Sequence, residues 1–158
     1  MQRLIRKSVA VNASRQEVWK AWTTEEGVKG FFAPDANVEL AIGGAYEMLF
    51  DPEAPVGSQG GEGLRILSYL PEEMLSFEWN APPEFPTVRA QKTWVVVQLG
   101  DTPAQTKVQL THLGWEEGAE WNRVFDYFQQ AWNIVLRRLQ KRFTDGPIDW
   151  ENLYRPSS

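Results

Sequence analysis

His112 is the single histidine in a chain of 158 residues that contains no cysteine, so it is the first side chain to consider for chemistry. An imidazole titrates near neutral pH and can act as a general acid or base, or fix a polar group of a ligand. A catalytic triad also needs a nucleophile and an orienting group, and no spacing in the sequence places such partners beside His112. His112 is therefore a candidate ligand-binding or acid–base residue. The alternative is a buried histidine that bonds to a backbone or side-chain neighbour.

The composition excludes several classes of site. A chain with one histidine and no cysteine cannot form a disulfide, a reactive thiolate or a multi-histidine metal site. We therefore expect no metal and no other cofactor. The chain carries 16 Lys and Arg against 21 Asp and Glu, a net charge of −5. This acidic balance argues against a nucleic-acid partner, because nucleic acids select basic surfaces.

Other polar clusters favour structural roles. Glu47 and Glu78 alternate with apolar neighbours, so we expect both carboxylates to point outward, where Arg65 could pair with them across strands. A basic cluster falls at the end of the last helical segment, where cations suit the helix dipole. It could also contact an acidic partner. Its members are Arg137, Arg138, Lys141 and Arg142.

Aromatic side chains offer a second candidate site. The chain has 8 Trp, 8 Phe and 4 Tyr, and such rings supply large apolar surfaces with few torsions to freeze. They could fill a core or line a ligand cavity, and the sequence leaves both alternatives open. Together with His112, the side chains that we expect to line a cavity are Met48, Phe50, Phe77, Trp79, Phe128 and Trp132.

The elements that must position these residues follow from the hydrophobic pattern. Alternation of apolar and polar residues predicts strands at 4–11, 38–42, 46–50, 64–70, 75–79, 93–99 and 106–113. Gly43 and Gly44 predict a tight hairpin turn between the second and third strands. The segment 51–63 is rich in Pro and Gly, which predicts a mobile loop.

Three helices are predicted. Ser14 and Glu17 have the spacing of a capping box, so a short helix should begin there. Thr24 repeats the capping pattern and predicts a second short helix. Apolar residues three and four apart over 121–143 predict a long amphipathic helix of about six turns. Glycine followed by proline at 146–147 should end it.

The order of elements predicts an α+β fold. Consecutive strands with short links form an antiparallel sheet, and only the C-terminal helix is long enough to cover its apolar face. A curved sheet that grips this helix leaves space between the two. We expect a single domain over 1–146, followed by a C-terminal tail at 147–158. The sequence shows no signal or membrane segment, so we expect no membrane insertion and a cytoplasmic location.

Several motifs, taken in their order along the chain, resemble the helix-grip superfamily of START-like, Bet v 1-like (SRPBCC) proteins. They are IRKSV at 5–9, ASRQEVW at 13–19, IGGAY at 42–46, LPEEMLSFEW at 70–79 and TKVQLTH at 106–112. Within the superfamily the chain is similar to the bacterial family named after the C-terminal domain of the activator of Hsp90 ATPase (AHSA1-like). Many members have a Gly-Trp pair in the last helix, where this chain has Ala131 and Trp132. The resemblance implies a helix-grip fold, a curved antiparallel sheet of about seven strands around a long C-terminal helix, with two short helices after the first strand.

The resemblance also carries expectations about function. Members of the superfamily bind lipids, sterols, polyketides and plant metabolites, and some catalyse cyclisation or hydrolysis. It implies that this chain binds a small hydrophobic or amphipathic molecule in a cavity between sheet and helix. A chaperone-related module that binds a protein partner is one alternative. A cyclase- or hydrolase-type enzyme that uses the same cavity is the other, and we expect binding rather than catalysis.

Overall fold

A computed structural model describes residues 3–153 and confirms the α+β fold with two short helices after the first strand. The strands are β1 (Ile5–Val11), β2 (Asp35–Val38), β3 (Tyr46–Leu49), β4 (Ile66–Leu70), β5 (Met74–Trp79), β6 (Thr93–Thr102) and β7 (Gln105–Leu113). The helices are α1 (Arg15–Thr23), α2 (Glu25–Lys29), α3 (Pro86–Arg89), α4 (Ala119–Asp145) and α5 (Trp150–Leu153).

All strand pairs are antiparallel, as short connections require. Five strands pair in the order β1-β7-β6-β5-β4, and β2 pairs with β3. Isolated bridges from Ala45 to Arg65 and from Leu49 to Gly60 connect β3 to the segment that leads into β4. The seven strands therefore form one antiparallel surface.

The long helix α4 covers the apolar face of this surface and contacts β1. Its buried residues recur three and four positions apart, as the amphipathic pattern predicts. They are Trp121, Val124, Phe128, Trp132, Val135, Leu136 and Leu139. On β7 the predicted inward set is confirmed, since Val108, Leu110 and His112 are all buried.

The predicted helix starts are confirmed by their hydrogen bonds. The Ser14 hydroxyl accepts from the Glu17 amide at 3.2 Å, and the Glu17 carboxylate accepts from the Ser14 amide at 3.5 Å. The Thr24 hydroxyl accepts from the Gly27 amide at 3.0 Å. A Cβ at Gly27 would lie 2.2 Å from the carbonyl oxygen of Lys20. The sharp bend between α1 and α2 therefore depends on glycine at position 27.

The predicted hairpin between the second and third strands is confirmed, and Gly43 adopts the expected positive φ of 78°, but the predicted bounds of the second strand are wrong. Strand β2 ends at Val38, which pairs with Tyr46, so the connection is a loop of residues 39–45. The amide of Gly43 donates to the carbonyl oxygen of Ile66 at 2.8 Å. This bond joins the turn to β4, while the Glu39 amide donates to the Ala45 carbonyl at 2.9 Å just beyond the end of β2. Two apolar residues of the predicted strand are exposed, Leu40 and Ile42.

The described part of the predicted tail packs back onto the domain. The amide of Ile148 donates to the Gly30 carbonyl at 3.0 Å, and the Trp150 indole donates to the Lys29 carbonyl at 2.6 Å. The Arg138 guanidinium lies over the Trp150 ring, 5.3 Å from its centroid. The segment 148–153 therefore contacts both the end of α2 and the last third of α4. Within residues 3–153, no helix is both long enough and apolar enough to span a membrane.

Candidate ligand-binding cavity

A cavity of about 480 Å³ lies between α4 and two loops at one end of the sheet. The loops contribute residues 50–51, 58–60 and 80–84, β5 contributes Trp79, and α4 contributes residues from 127 to 138. Aromatic side chains form much of the wall. They are Phe32, Phe50, Trp79, Tyr127, Phe128 and Trp132.

The inner aromatic wall is a set of rings in mutual contact. The rings of Trp79 and Trp132 lie 5.3 Å apart, those of Phe32 and Trp79 5.5 Å apart, and Phe128 stacks on Trp132 at 5.8 Å. These four side chains are buried, whereas Phe50 is 42% exposed. Such contacts fix ring orientations, so the wall is preformed. Phe50 stands at the open side.

One face of α4 borders the cavity. Phe128, Ala131, Trp132, Val135 and Arg138 follow each other at intervals of three, one, three and three residues, which keeps them on one side of the helix. At a rise of about 1.5 Å per residue, this stripe is about 15 Å long. The small side chain of Ala131 leaves room at its centre. The stripe ends at the cationic Arg138.

His112 belongs to a buried hydrogen-bonded chain beside the cavity. The indole N–H of Trp132 donates to Nδ1 of His112 at 3.0 Å. An indole nitrogen can only donate, so Nδ1 is the acceptor and the proton of the neutral ring is on Nε2. Nε2 then donates to the Thr93 hydroxyl at 2.7 Å, and that hydroxyl lies 3.4 Å from the Trp79 carbonyl oxygen. Both ring nitrogens are therefore occupied.

The environment of His112 keeps its ring neutral. The side chain is 0% exposed, and the ring centroids of Trp115 and Phe128 lie 4.5 Å and 5.2 Å from its own. Burial among these rings lowers the pKa of His112 to about 3, because a charged imidazole would lose its hydration. His112 is also absent from the cavity lining. The arrangement matches the alternative of a buried histidine bonded to side-chain neighbours.

The structure brings together four of the seven residues that the sequence suggested as cavity lining. Phe50, Trp79, Phe128 and Trp132 border the space. The other three, Met48, Phe77 and His112, are fully buried and do not. Phe77 packs its ring 4.4 Å from that of Tyr46, so this part of the inner sheet face is solid core. Strand alternation identifies the inner face, but it does not say where along a strand the space begins.

Sequence reasoning missed several lining residues. Phe32 follows the second short helix, and residues 80–84 lie in a loop with two prolines, so neither has a periodic pattern that would assign its direction. Ala131 and Arg138 do have a helical period. They share the face of Trp132, which could have indicated them.

The loop at 51–63, predicted to be mobile, is held by an ionic cluster. Arg89 donates to the carbonyl oxygens of Ala81 at 2.6 Å, Gly57 at 2.8 Å and Gly60 at 2.9 Å, and its guanidinium lies 3.5 Å from Glu62. Glu62 in turn accepts from the amides of Gly57 and Gln59, each at 2.6 Å.

The electrostatics of this cluster favour the folded loop. Burial alone would raise the pKa of Glu62, but hydrogen bonds from the amides of Gly57, Gln59 and Gly60 and the charge of Arg89 lower it. The carboxylate therefore stays ionised and can hold the loop. Residues 58–60, which line the cavity, are positioned by these bonds.

The charged groups around the cavity are unequally placed. Arg138 stands at one end of the α4 stripe, while Asp51 and Glu84 are contributed by the loops. Burial and the negative charge of Glu84 raise the pKa of Tyr127, and both residues border the cavity. Within residues 3–153, no group of three or more His, Asp or Glu side chains could hold a metal ion. The cavity therefore offers an aromatic surface with charged ends.

The fold and its cavity define the chain as a helix-grip protein. More narrowly, residues 12–144 match the family model described as Activator of Hsp90 ATPase homolog 1-like protein, and the chain belongs to this family. No curated protein sequence matches the chain at a significant level.

Solved structures share the fold at low sequence identity. The Aha1 dimer from Colwellia psychrerythraea matches with a TM-score of 0.71 and 21% identity, covering 91% of this chain and 98% of that one. Protein MLL2253 from Mesorhizobium loti matches with a TM-score of 0.73 and 16% identity, covering 92% and 100%. The AHSA1-like protein RHE_CH02687 from Rhizobium etli matches with a TM-score of 0.67 and 16% identity, covering 100% and 91%.

Proposed function

We propose that this protein binds a small, predominantly apolar molecule in the cavity between α4 and the loops of the sheet. The observation that carries the proposal is the aromatic cavity of about 480 Å³. Ligand sites typically occupy about 300–1,000 Å³ and are lined by apolar and aromatic side chains with a few polar groups. The cavity meets each of these conditions.

The preformed wall supports a ligand with flat or ring-like parts. Trp79, Phe128 and Trp132 are held by mutual ring contacts, so little side-chain order has to be gained on binding. Phe50 also borders the cavity and is 42% exposed. The loop carrying Gly60 is already fixed by Arg89.

A cavity-filling variant tests this proposal. Ala131→Phe places a ring in the middle of the α4 stripe, whereas Gln130→Phe adds the same ring on an exposed position of the helix. Fatty acids, sterols, flavonoids and polyketides would be screened by chemical-shift mapping and Trp fluorescence. We expect binders to shift the signals of Trp79 and Trp132, and Ala131→Phe to abolish binding that Gln130→Phe retains. Shifts scattered over the outer sheet face, or equal binding by both variants, would contradict the proposal.

A protein-binding module is the second candidate. It is favoured by the family match, since the family is described by its likeness to an activator of Hsp90 ATPase. The test measures the ATPase rate of purified Hsp90 with increasing amounts of this protein. Stimulation that saturates with concentration would support this candidate, and an unchanged rate would count against it.

We do not propose a catalytic role for His112. Both of its ring nitrogens are engaged, by Trp132 and by Thr93, and the ring has no exposed surface. A general base must reach the proton that it removes, directly or through one water. If a substrate is found, His112→Gln should therefore alter stability rather than abolish turnover selectively.

A further inference from the structure

We infer that the ligand of this cavity is amphipathic, with an apolar ring-bearing body and an anionic group, and that the guanidinium of Arg138 binds the anion. This inference rests on the proposed function, because it names the ligand class of the same cavity. Two observations support it: Arg138 borders the cavity without an ion-pair partner among residues 3–153, and the charged side chains are unequally placed along the cavity.

Arg138 borders the cavity without an ion-pair partner. The side chain is half-buried, and no carboxylate of residues 3–153 lies within 4.0 Å of its guanidinium. The other arginine of the lining, Arg89, differs sharply, because it donates to three carbonyl oxygens and faces Glu62. Arg89 is therefore committed to the loop, and Arg138 is the cation left for a ligand.

The C-terminal segment positions Arg138. The guanidinium carbon lies over the Trp150 ring, 5.3 Å from its centroid, and the Trp150 indole is itself anchored on the Lys29 carbonyl. A guanidinium that stacks on a ring through its face keeps the N–H groups of its edge free. These groups form the planar fork that matches a carboxylate or sulfonate. Stacking also removes water from one face, which strengthens the pairing with an anion.

The acidic groups favour one orientation of the ligand. Glu84 influences Tyr127, and the ring of neighbouring Phe85 lies 6.2 Å from the ring of Tyr127. Tyr127 and Arg138 are separated on α4 by about 16 Å, at a rise of about 1.5 Å per residue. An anion is therefore repelled at the Glu84 end and attracted at the Arg138 end. Asp51 and Glu84 are both exposed lining carboxylates, so water weakens the repulsion from each, whereas Arg138 is half-buried.

The test compares two probes with the same rings. The first is 8-anilino-1-naphthalenesulfonate, and the second is N-phenyl-1-naphthylamine, which lacks the sulfonate. Affinities are measured by fluorescence titration, and binding in the cavity is defined as the part that Ala131→Phe removes. We expect Arg138→Gln to weaken binding of the sulfonate probe about tenfold, the scale of one charge-assisted hydrogen bond. The affinity for N-phenyl-1-naphthylamine should be unchanged. The control is Arg137→Gln, an exposed neighbour outside the lining.

Two further variants separate charge from position. Arg138→Lys keeps the charge without the planar fork, so sulfonate affinity should fall less than in Arg138→Gln. Trp150→Leu removes the ring beneath the guanidinium. It should lower the affinity for the sulfonate probe but not the affinity for N-phenyl-1-naphthylamine.

The outcomes distinguish a failure of the anion site at Arg138 from a failure of the proposed ligand binding in the cavity. If both probes bind in the cavity and Arg138→Gln leaves the sulfonate affinity unchanged, or weakens both probes equally, the inference is overturned and the proposed function stands. If neither probe shows binding that Ala131→Phe removes, both fail.

Discussion

The indole of Trp132 on α4 donates to Nδ1 of His112 on β7 at 3.0 Å, with both side chains buried. This bond crosses from the helix to the sheet at the edge of the cavity. It continues through Nε2 to the hydroxyl of Thr93 on β6. The chain of bonds thus links the C-terminal helix to two adjacent strands, and it sets the tautomer of the ring.

Replacing Trp132 by Phe tests the energetic role of this bond. The variant leaves Nδ1 of His112 buried without a donor, and an unsatisfied buried group costs about 1–3 kcal/mol. Trp79→Phe is the matched control, because the Trp79 indole nitrogen is buried with no hydrogen-bond partner among residues 3–153. Urea denaturation should show a clearly larger loss of unfolding free energy for Trp132→Phe. Equal losses in the two variants would mean that the bond contributes nothing beyond ring packing.

Acidification should weaken the fold through His112. Its pKa is about 3 in the folded state and 6.5 in the reference state, so between these values the unfolded chain binds a proton that the folded chain does not. The contribution of the neutral His112 ring to the free energy of unfolding is therefore fully present above pH 6.5. It is lost as the pH falls towards 3. Between the two pKa values, this one group lowers the free energy of unfolding by about 1.4 kcal/mol for each pH unit of acidification.

The measurement is the free energy of unfolding at several values between about pH 5 and pH 6.5, where carboxylates contribute least. His112→Gln removes the titrating ring and should flatten the dependence in this window. A wild-type protein whose stability stays constant over the same window would show that His112 is not buried as described.

Gly27 should resist replacement although it lies within a helix. Alanine favours helix formation over glycine, but a Cβ here would lie 2.2 Å from the Lys20 oxygen and 2.6 Å from the Ala21 Cα, both backbone atoms. We expect Gly27→Ala to lower the melting temperature and to cost about 1–3 kcal/mol, the range for overpacked sites. Gly100 on β6 has no atom within 4 Å of its ideal Cβ position, so Gly100→Ala should be neutral or slightly stabilising.

Removing the guanidinium of Arg89 should release the loop at 51–63. Arg89→Met keeps the apolar stem but loses the donors to Gly57, Gly60 and Ala81. Hydrogen exchange of the Gly57 and Gln59 amides should accelerate at least about tenfold, because their acceptor Glu62 loses its cation.

The control for the loop is Arg65→Met. The Arg65 guanidinium donates to the Gly43 carbonyl, outside the cavity. Exchange of sheet amides should be unaffected in both variants. An Arg89→Met protein with unchanged exchange at Gly57 would show that the backbone bonds to Glu62 are sufficient to hold the loop.

The fold was predictable from local signals that agree with one another. The capping box at Ser14 begins a helix, the alternation through His112 gives an inward strand face, and the apolar period around Trp132 gives the long helix. Each of these depends on residues close together in the sequence. The order of the elements then leaves few ways to cover one sheet face.

The candidate site was predictable only in part, because it depends on contacts between distant segments. Arg89 donates a hydrogen bond to the Gly57 carbonyl although the two residues lie far apart in the sequence. No local sequence pattern predicts such a hydrogen bond. The same holds for Trp150, which contacts Lys29 and Arg138, two residues distant from it in the sequence. Met48 and Phe77 were placed on the correct face, but the depth at which packing becomes complete is a property of the whole core.

Neighbouring positions of α4 differ in what their side chains contact. Trp132 borders the cavity and also bonds the helix to the sheet, whereas Ala131, Ile134 and Arg138 border the cavity and take no part in that bond. Mutation can therefore alter the shape and polarity of the cavity while the scaffold survives.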